Sequence, residues 1–108
     1  MKYKVKGRIW IETEQGAYFG SGRITLLERV KKFGSITVAA KSMKMSYRQA
    51  WEQIESMNKQ VDKPLVIKNS GGVGGGGTQL TKEGEKIISL FHAVSDQFVA
   101  FSESSQLK

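Results

Sequence analysis

Residues 35–51 read S-I-T-V-A-A-K-S-M-K-M-S-Y-R-Q-A-W, and this stretch decides the fold. Apolar residues between Ile36 and Met43 recur at i, i+3, i+4 and i+7, which is the spacing of one face of a helix, and Ser35 can cap its N-terminus. Residues 44–45 interrupt this pattern, and Ser46 can cap a second helix directly afterwards. The stretch therefore predicts two helices joined by a tight turn.

A further helical pattern precedes this pair, and the second helix of the pair extends well beyond Trp51. Arg23 to Phe33 has apolar residues at helical spacing, and Gly34 is a C-terminal stop signal. The helix that begins after Ser46 extends toward Val61, and Pro64 prevents its continuation. Its buried stripe consists of Ala50, Ile54, Met57 and Val61. We therefore expect helices over residues 22–62, with the helix-turn-helix at 35–60.

The charge of the chain favours a polyanionic partner. The 108 residues have a formal net charge of +7. Fourteen basic and six acidic side chains fall within residues 1–68, whereas three basic and four acidic ones follow. The spacing of the basic residues before Trp10 is that of a strand and not of a membrane-surface helix, so nucleic acid is the preferred partner and no membrane partner is expected.

Composition also argues against several classes of protein. The chain has no Cys and one His, so a disulfide scaffold, thiolate catalysis and a Cys-ligated metal are excluded. Residues 1–10 have no apolar run of the kind that a signal peptide needs, and we expect a cytoplasmic protein. We expect no enzymatic activity and no cofactor.

The outer face of the third helix carries the side chains that we predict to contact DNA. Arg48 and Gln49 are of the types that read guanine and adenine edges, and Ser46 and Tyr47 suit phosphate oxygens. The alternative is an ordinary solvated helix face. The full predicted DNA-binding set is Ser35, Ser46, Tyr47, Arg48, Gln49, Glu52, Ser56, Lys59, Lys68, Gly72, Gly74 and Gly75.

Two β-hairpins flank the helices in this prediction. Residues 2–12 alternate polar and apolar side chains, and with residues 17–19 they predict an N-terminal hairpin over 1–20, in which Trp10 lies on the polar face without an assigned role. Residues 65–80 predict a second hairpin with a glycine-rich loop, the wing. The glycines formally match a dinucleotide fingerprint, but no helix opens directly after them, and no Lys follows the last glycine as a Walker-type phosphate loop requires.

The last predicted helix, residues 81–102, has a wide apolar surface. Its stripe has steps of four and three residues, and part of it exceeds what one small core needs. We predict that Phe91, Val94, Phe98 and Phe101 form a dimer interface. The alternative is that the helix closes only its own core.

Several segments of the chain form a specific combination: 34–41, 45–51, 56–58, 64–66, 71–81 and Gly84. Its most specific part is Ser46-Tyr-x-x-Ala-Trp51 followed by Gly71-Gly-x-Gly-Gly-Gly-Gly77. Together these segments resemble the N-terminal DNA-binding domain of ModE-type molybdate-responsive regulators, and more loosely the winged helix-turn-helix of LysR-type regulators.

The resemblance implies a prokaryotic transcription regulator that binds DNA as a homodimer, with residues 46–49 at the head of the recognition helix. In that family molybdate binding belongs to C-terminal modules, so we expect none in this chain. Lys44 stands where the turn usually has Gly, and a positive φ there would cost on the order of 1 kcal/mol. Val73 stands where the wing commonly has a basic residue.

We therefore predict a mainly α fold with two small β-hairpins, a single winged helix-turn-helix domain over 1–108 with a long C-terminal helix. Its predicted function is sequence-specific binding of double-stranded DNA as a homodimer, with the recognition helix in the major groove and the wing on the backbone. Two alternatives stay open. The chain could be an interaction module that pairs with a longer regulator, or its glycine loop and helix N-termini could bind an oxyanion.

Overall fold

The computed structural model describes residues 2–69 and 77–107, and within them it confirms the predicted winged helix-turn-helix architecture. The helices are α1 (Ser21–Phe33), α2 (Ile36–Ser42), α3 (Tyr47–Lys59) and α4 (Lys82–Ser104). The strands are β1 (Tyr3–Lys4), β2 (Ile11–Glu12), β3 (Tyr18–Phe19), β4 (Val66–Lys68), β5 (Thr78–Leu80) and β6 (Gln106–Leu107). They form the antiparallel pairs β1–β6, β2–β3 and β4–β5.

Local signals end each helix of the first half where the sequence predicts. Gly34 closes α1 in the left-handed region, at φ 64°, and its N–H donates to the Val30 carbonyl at 2.8 Å. Ser35 caps α2, because its hydroxyl accepts from the Val38 N–H at 3.2 Å. Such caps satisfy N–H groups that the first turn of a helix leaves without a partner.

The turn between α2 and α3 contains a strained residue. Lys44 has φ 56°, and it is the only non-glycine residue with a positive φ in the described ranges. Its N–H donates to the Lys41 carbonyl at 3.1 Å, and the Met45 N–H donates to Ala40 at 3.0 Å. The Cβ of an L-residue crowds the carbonyl in this conformation, which costs about 1–2 kcal/mol.

One hydrophobic core joins α1, α2 and α3 to the wing strands and to the first half of α4. The most completely buried large side chains belong to α1 and its neighbours, and Ala39, Ala40 and Ala50 allow close helix approach. The core comprises Ala17, Phe19, Ile24, Leu26, Leu27, Val30, Ile36, Ala39, Ala40, Ala50, Ile54, Met57, Leu65, Val66, Leu80 and Phe91. It holds the helix-turn-helix and the base of the wing as one unit.

The N-terminal strand predicted over residues 2–12 is wrong in its extent. Only its two ends enter ladders: Ile11–Glu12 pairs with Tyr18–Phe19, and Tyr3–Lys4 pairs with Gln106–Leu107. The segment between them packs along α4 instead, where the Ser102 hydroxyl bonds the Val5 carbonyl. The alternating pattern indicates one half-buried face, but the available partner strand is two residues long.

α4 makes the molecule elongated. Its 23 residues span about 34 Å, and the molecule measures 61 × 29 × 20 Å. The radius of gyration is 16.5 Å, whereas a compact domain of this length has about 13 Å. The second half of α4 therefore extends beyond the core.

Candidate nucleic-acid interface

The head of α3 is held by a reciprocal capping box. The Ser46 hydroxyl accepts from the Gln49 N–H at 3.1 Å, and the Gln49 side-chain oxygen accepts from the Ser46 N–H at 3.1 Å. This arrangement fixes the first turn of the helix. It also occupies the side-chain amide oxygen of Gln49, so Gln49 would have to leave the capping box to make two hydrogen bonds to an adenine. The amide N–H₂ of Gln49 stays available to donate.

Arg48 lies on the outer face of α3 and points into solvent. Its side chain is 87% exposed, and its Nε donates to Glu52 Oε1 at 3.0 Å. Exposed i,i+4 pairs stabilise a helix by only about 0.3–0.5 kcal/mol, so a stronger partner can displace Glu52 at low cost. The pair orients the guanidinium and leaves its terminal nitrogens available for a ligand.

On one flank of α3, residues from four elements meet in a polar cleft of about 230 Å³. Ser35 and Thr37 come from the start of α2, Tyr47 from α3, and Lys68 and Thr78 from the wing strands. We call this the wing-side cleft. It brings together Ser35, Tyr47 and Lys68, three members of the predicted DNA-binding set, with hydroxyl and ammonium groups suited to phosphate oxygens.

Backbone and side-chain hydrogen bonds fix the wing relative to the helices. The Thr78 N–H donates to the Gly34 carbonyl at 3.0 Å, which ties β5 to the junction of α1 and α2. Asn58 on α3 donates from Nδ2 to the Val66 carbonyl at 2.9 Å and accepts the Leu65 N–H at 2.9 Å. The base of the wing and α3 are therefore held in a fixed relation to each other.

Asn58 has no role in the sequence prediction beyond the family resemblance. Helical periodicity does not reveal its role, because its hydrogen-bond partners lie outside α3, at the start of the following strand. Trp51 was also missed: it sits on the same flank of α3 as Tyr47 and is 37% exposed.

The remaining predicted contact residues are more dispersed. Ser56 is half-buried, and Lys59 is exposed at the far end of α3, about 16 Å along the axis from Arg48. Lys59 Nζ lies 3.9 Å from Glu55. Gly72, Gly74 and Gly75, together with Val73, lie outside the described residues.

The other flank of α3 has a groove that the sequence did not predict. Its volume is about 740 Å³, and it lies between the N-terminal hairpin, the start of α1, the turn before α3 and α3 itself. We call it the hairpin groove and define it by Arg8, Trp10, Tyr18, Arg23, Lys44, Gln49 and Gln53. These residues are distant in sequence, so periodicity could not have grouped them.

Two of the four residues in the predicted dimer stripe on α4 pack within this chain. Phe91 is 6% exposed and belongs to the core of this chain, and the Phe98 ring packs against Gly7 of the N-terminal segment. Val94 is half-buried, and Phe101 is 56% exposed. A helical stripe alone does not say which of its residues face the chain's own core, so periodicity could not separate Phe91 from Phe101. The dimer interface itself stays a prediction.

Two other kinds of site are not seen in the described ranges, 2–69 and 77–107. No group of three or more His, Asp or Glu side chains is placed to hold a metal ion there. No helix in those ranges is both long and apolar enough to cross a membrane.

Comparison with known proteins gives one family and several relatives. Residues 22–85 match the family model of the bacterial regulatory helix-turn-helix proteins, lysR family. The chain is 40% identical over 91 residues to the molybdenum transport protein ModE of Azotobacter vinelandii, covering 84% of this chain and 34% of that protein. It is 41% identical over 81 residues to the transcriptional regulator ModE of Haemophilus influenzae, covering 75% and 32%. The chain thus spans about a third of the length of these relatives.

A solved structure supports the same fold. The chain superposes on the crystal structure of a LysR family transcriptional regulator with a TM-score of 0.56 and 16% sequence identity. The match covers 76% of this chain and 26% of that one. At this identity the likeness shows the fold alone.

Proposed function

Because the chain belongs to the lysR family of bacterial regulatory helix-turn-helix proteins, we propose that it is a sequence-specific regulator of transcription that binds double-stranded DNA as a homodimer. In this proposal α3 enters the major groove and the wing contacts the backbone. The chain acts by binding and not by catalysis. It is similar to relatives that are named as transcriptional regulators, but the match covers only about a third of those proteins.

The observation that carries the proposal is the arrangement of the head of α3 beside the wing-side cleft. Arg48 projects from the helix, while Tyr47 and Lys68 lie together in the cleft next to it. The bonds from Gly34 and Asn58 hold these two surfaces in a fixed relation. A base-reading side chain beside a phosphate-binding cleft is the combination that specific binding needs, because backbone contacts set the register in which bases are read.

Arg48 is proposed as the base-reading residue. A guanine offers two acceptors in the major groove, and a guanidinium that leaves Glu52 can bind both. Arg48→Ala should lose about 1–3 kcal/mol of discrimination at one base pair, which is roughly 5- to 150-fold. Arg48→Lys is the matched control, because it keeps the charge but loses the planar fork.

The test is fluorescence anisotropy with the chain's own upstream region and with a scrambled duplex. We expect Arg48→Lys to bind the scrambled duplex as the unaltered protein does and to lose the preference for the specific one. Equal weakening on both duplexes by Arg48→Ala, with full specificity in Arg48→Lys, would contradict base reading and make Arg48 a phosphate contact.

The homodimer is proposed to form through the uncovered stripe of α4. Leu90 is 50% exposed and Phe101 is 56% exposed. Together with Val94 they lie on the same face of α4, within about 40° of one another around the helix axis. An apolar stripe of this kind stabilises a helical dimer by removing its surface from water. Val99 is also exposed, at 48%, but it lies about 160° around the helix from Phe101.

Sedimentation equilibrium distinguishes the two sides of α4. Phe101→Asp should shift the protein to monomer, whereas Val99→Asp should leave the dimer intact. A dimer that persists in Phe101→Asp would exclude this stripe from the interface. A monomeric unaltered protein that binds no duplex would instead favour the second candidate, an interaction module that uses the same stripe to pair with a longer regulator.

We also propose that the chain itself does not bind molybdate, although one relative's name mentions molybdenum transport. The wing-side cleft is assigned here to DNA phosphates. Titration calorimetry with millimolar molybdate tests this point, and a saturable heat would contradict it.

A further inference from the structure

We propose that the hairpin groove binds the second phosphate backbone of the major groove, on the side of α3 that faces away from the wing. This inference rests on the proposed function, because it assumes that α3 enters duplex DNA. It assigns a DNA contact to the N-terminal hairpin, which the sequence analysis left without one.

The charge of the hairpin groove suits a polyanion. Arg8, Arg23 and Lys44 contribute three cations, and no acidic side chain is found among the lining residues, all of which the structure describes. Gln49 and Gln53 of α3 add amide donors. Glu12 lies close by, but its carboxylate accepts the Trp10 indole N–H at 2.9 Å and does not line the groove. Cations and amide donors together are the groups that contact DNA phosphates.

The position of the groove matches the width of the DNA major groove. Around the axis of α3, the side chains of Gln49 and Trp51 point in directions about 160° apart, so they mark the two flanks of the helix. Arg48 and Glu52 lie on the outer face between these flanks. An α-helix with its side chains is about 10–12 Å across, and the major groove is about 12 Å wide. Because a helix in the groove meets a backbone on each flank, the wing-side cleft faces one strand and the hairpin groove faces the other.

One of the three cations, that of Arg23, is already held in place, and the backbone at a second, Lys44, is constrained by its turn. The Arg23 guanidinium lies 5.6 Å from the centre of the Tyr18 ring and donates to the Tyr18 carbonyl at 3.3 Å. Trp10 packs on the same ring at 5.9 Å between centroids. Lys44 stands in the turn at φ 56°, a conformation in which glycine would avoid the strain. Strain that persists in a native structure often marks a functional position, and here the residue supplies a charge at the mouth of the groove.

The shape of the groove favours DNA over a small effector. Small ligands bind in cavities that bury most of their surface in an apolar lining. The hairpin groove is instead open to solvent, and its cations come from three separate segments of the chain: Arg8 before β2, Arg23 in α1 and Lys44 in the turn before α3. An extended phosphodiester backbone can contact all three at once.

The experiment measures how DNA affinity depends on salt. Arg8→Gln and Lys44→Gln each remove one charge from exposed positions, and Lys86→Gln on α4 is the matched control at an exposed lysine. Each lost phosphate contact should reduce the slope of log K against log salt by about 0.9 per protomer, equally on specific and scrambled duplexes. Lys86→Gln should leave the slope unchanged. Thermal melting confirms that each variant is folded.

Hydroxyl-radical footprinting then locates the contact. In Arg8→Gln and Lys44→Gln, protection should weaken on the strand opposite the one that the wing protects. Slopes equal to that of Lys86→Gln, or weaker binding with an unchanged footprint on both strands, would overturn the inference. If the unaltered protein binds neither duplex, the proposed function itself fails. If the unaltered protein binds specifically and the two groove variants bind in the same way, only this inference fails.

Discussion

Replacing Lys44 by glycine should stabilise this protein. Lys44 has φ 56°, and its side chain is exposed, so no packing is lost by removing it. Relief of the left-handed conformation contributes about 1–2 kcal/mol, and the larger conformational entropy of glycine in the unfolded chain offsets roughly 0.5–1 kcal/mol of this. The net gain in the free energy of unfolding is therefore about 0.5–1 kcal/mol.

Differential scanning calorimetry and urea unfolding measure this gain. For a domain of this size 1 kcal/mol corresponds to about 4 °C in Tm, so Lys44→Gly should raise Tm by roughly 2–4 °C. Lys44→Ala is the control for the lost charge. It keeps the Cβ and the strain, so its stability should stay within about 0.5 kcal/mol of the unaltered protein.

In a second control, glycine should lower the free energy of unfolding instead of raising it. Lys41→Gly lies three residues earlier, inside α2, where glycine costs about 1 kcal/mol. The reasoning would be refuted if Lys44→Gly were no more stable than Lys44→Ala. A gain shared by both variants would show that the charge of Lys44, and not its backbone conformation, is unfavourable.

Substitutions at three further positions test the contacts that join α3, the wing strands and α4. Gly84→Ala should lower the free energy of unfolding by about 1–3 kcal/mol, because a Cβ there would lie 2.6 Å from the Leu65 carbonyl oxygen; a variant as stable as the unaltered protein would show that α4 can move away from the wing. Asn58→Ala should cost a similar amount in urea unfolding, since it leaves buried backbone groups at Leu65 and Val66 without partners. Ser46→Ala should lose about 1 kcal/mol with the helix cap, whereas Ser46→Asp should keep the cap and the Tm but weaken DNA binding, because it puts a negative charge at the head of α3. Tight DNA binding by Ser46→Asp would place the phosphates elsewhere.

Local signals made the helix-turn-helix predictable from the sequence. Ser35, Ser46 and Gly34 act on backbone groups within four residues of themselves, so their roles can be assigned without knowledge of the tertiary structure. Periodicity then identifies the buried face of each helix. The strain at Lys44 was raised by the resemblance instead, because the family usually has Gly at this position of the turn.

Features that depend on distant contacts could not be predicted. The alternation of residues 2–12 is typical of a strand, but its extent is set by partners far along the chain. Phe91 and Phe101 belong to one periodic stripe, yet one is buried and the other exposed. The hairpin groove depends on the approach of the N-terminal hairpin to the turn before α3, which no local pattern encodes.

The pairing of β1 with β6 has a consequence for the order of folding. Its partners, such as Tyr3 and Leu107, are about a hundred positions apart in sequence, whereas α1, α2 and α3 contact their immediate neighbours. Short-range contacts close small loops and form early. A two-residue ladder between distant segments stabilises the chain too little to offset the entropy lost in closing so long a loop, so it cannot nucleate structure. The helix-turn-helix is thus expected to assemble first and the ladder last. On opening, the order of events is reversed, so the amides of β1 should exchange with solvent long before those of α1. The helices α1, α2 and α3 should therefore stay folded after the β1–β6 pairing has opened.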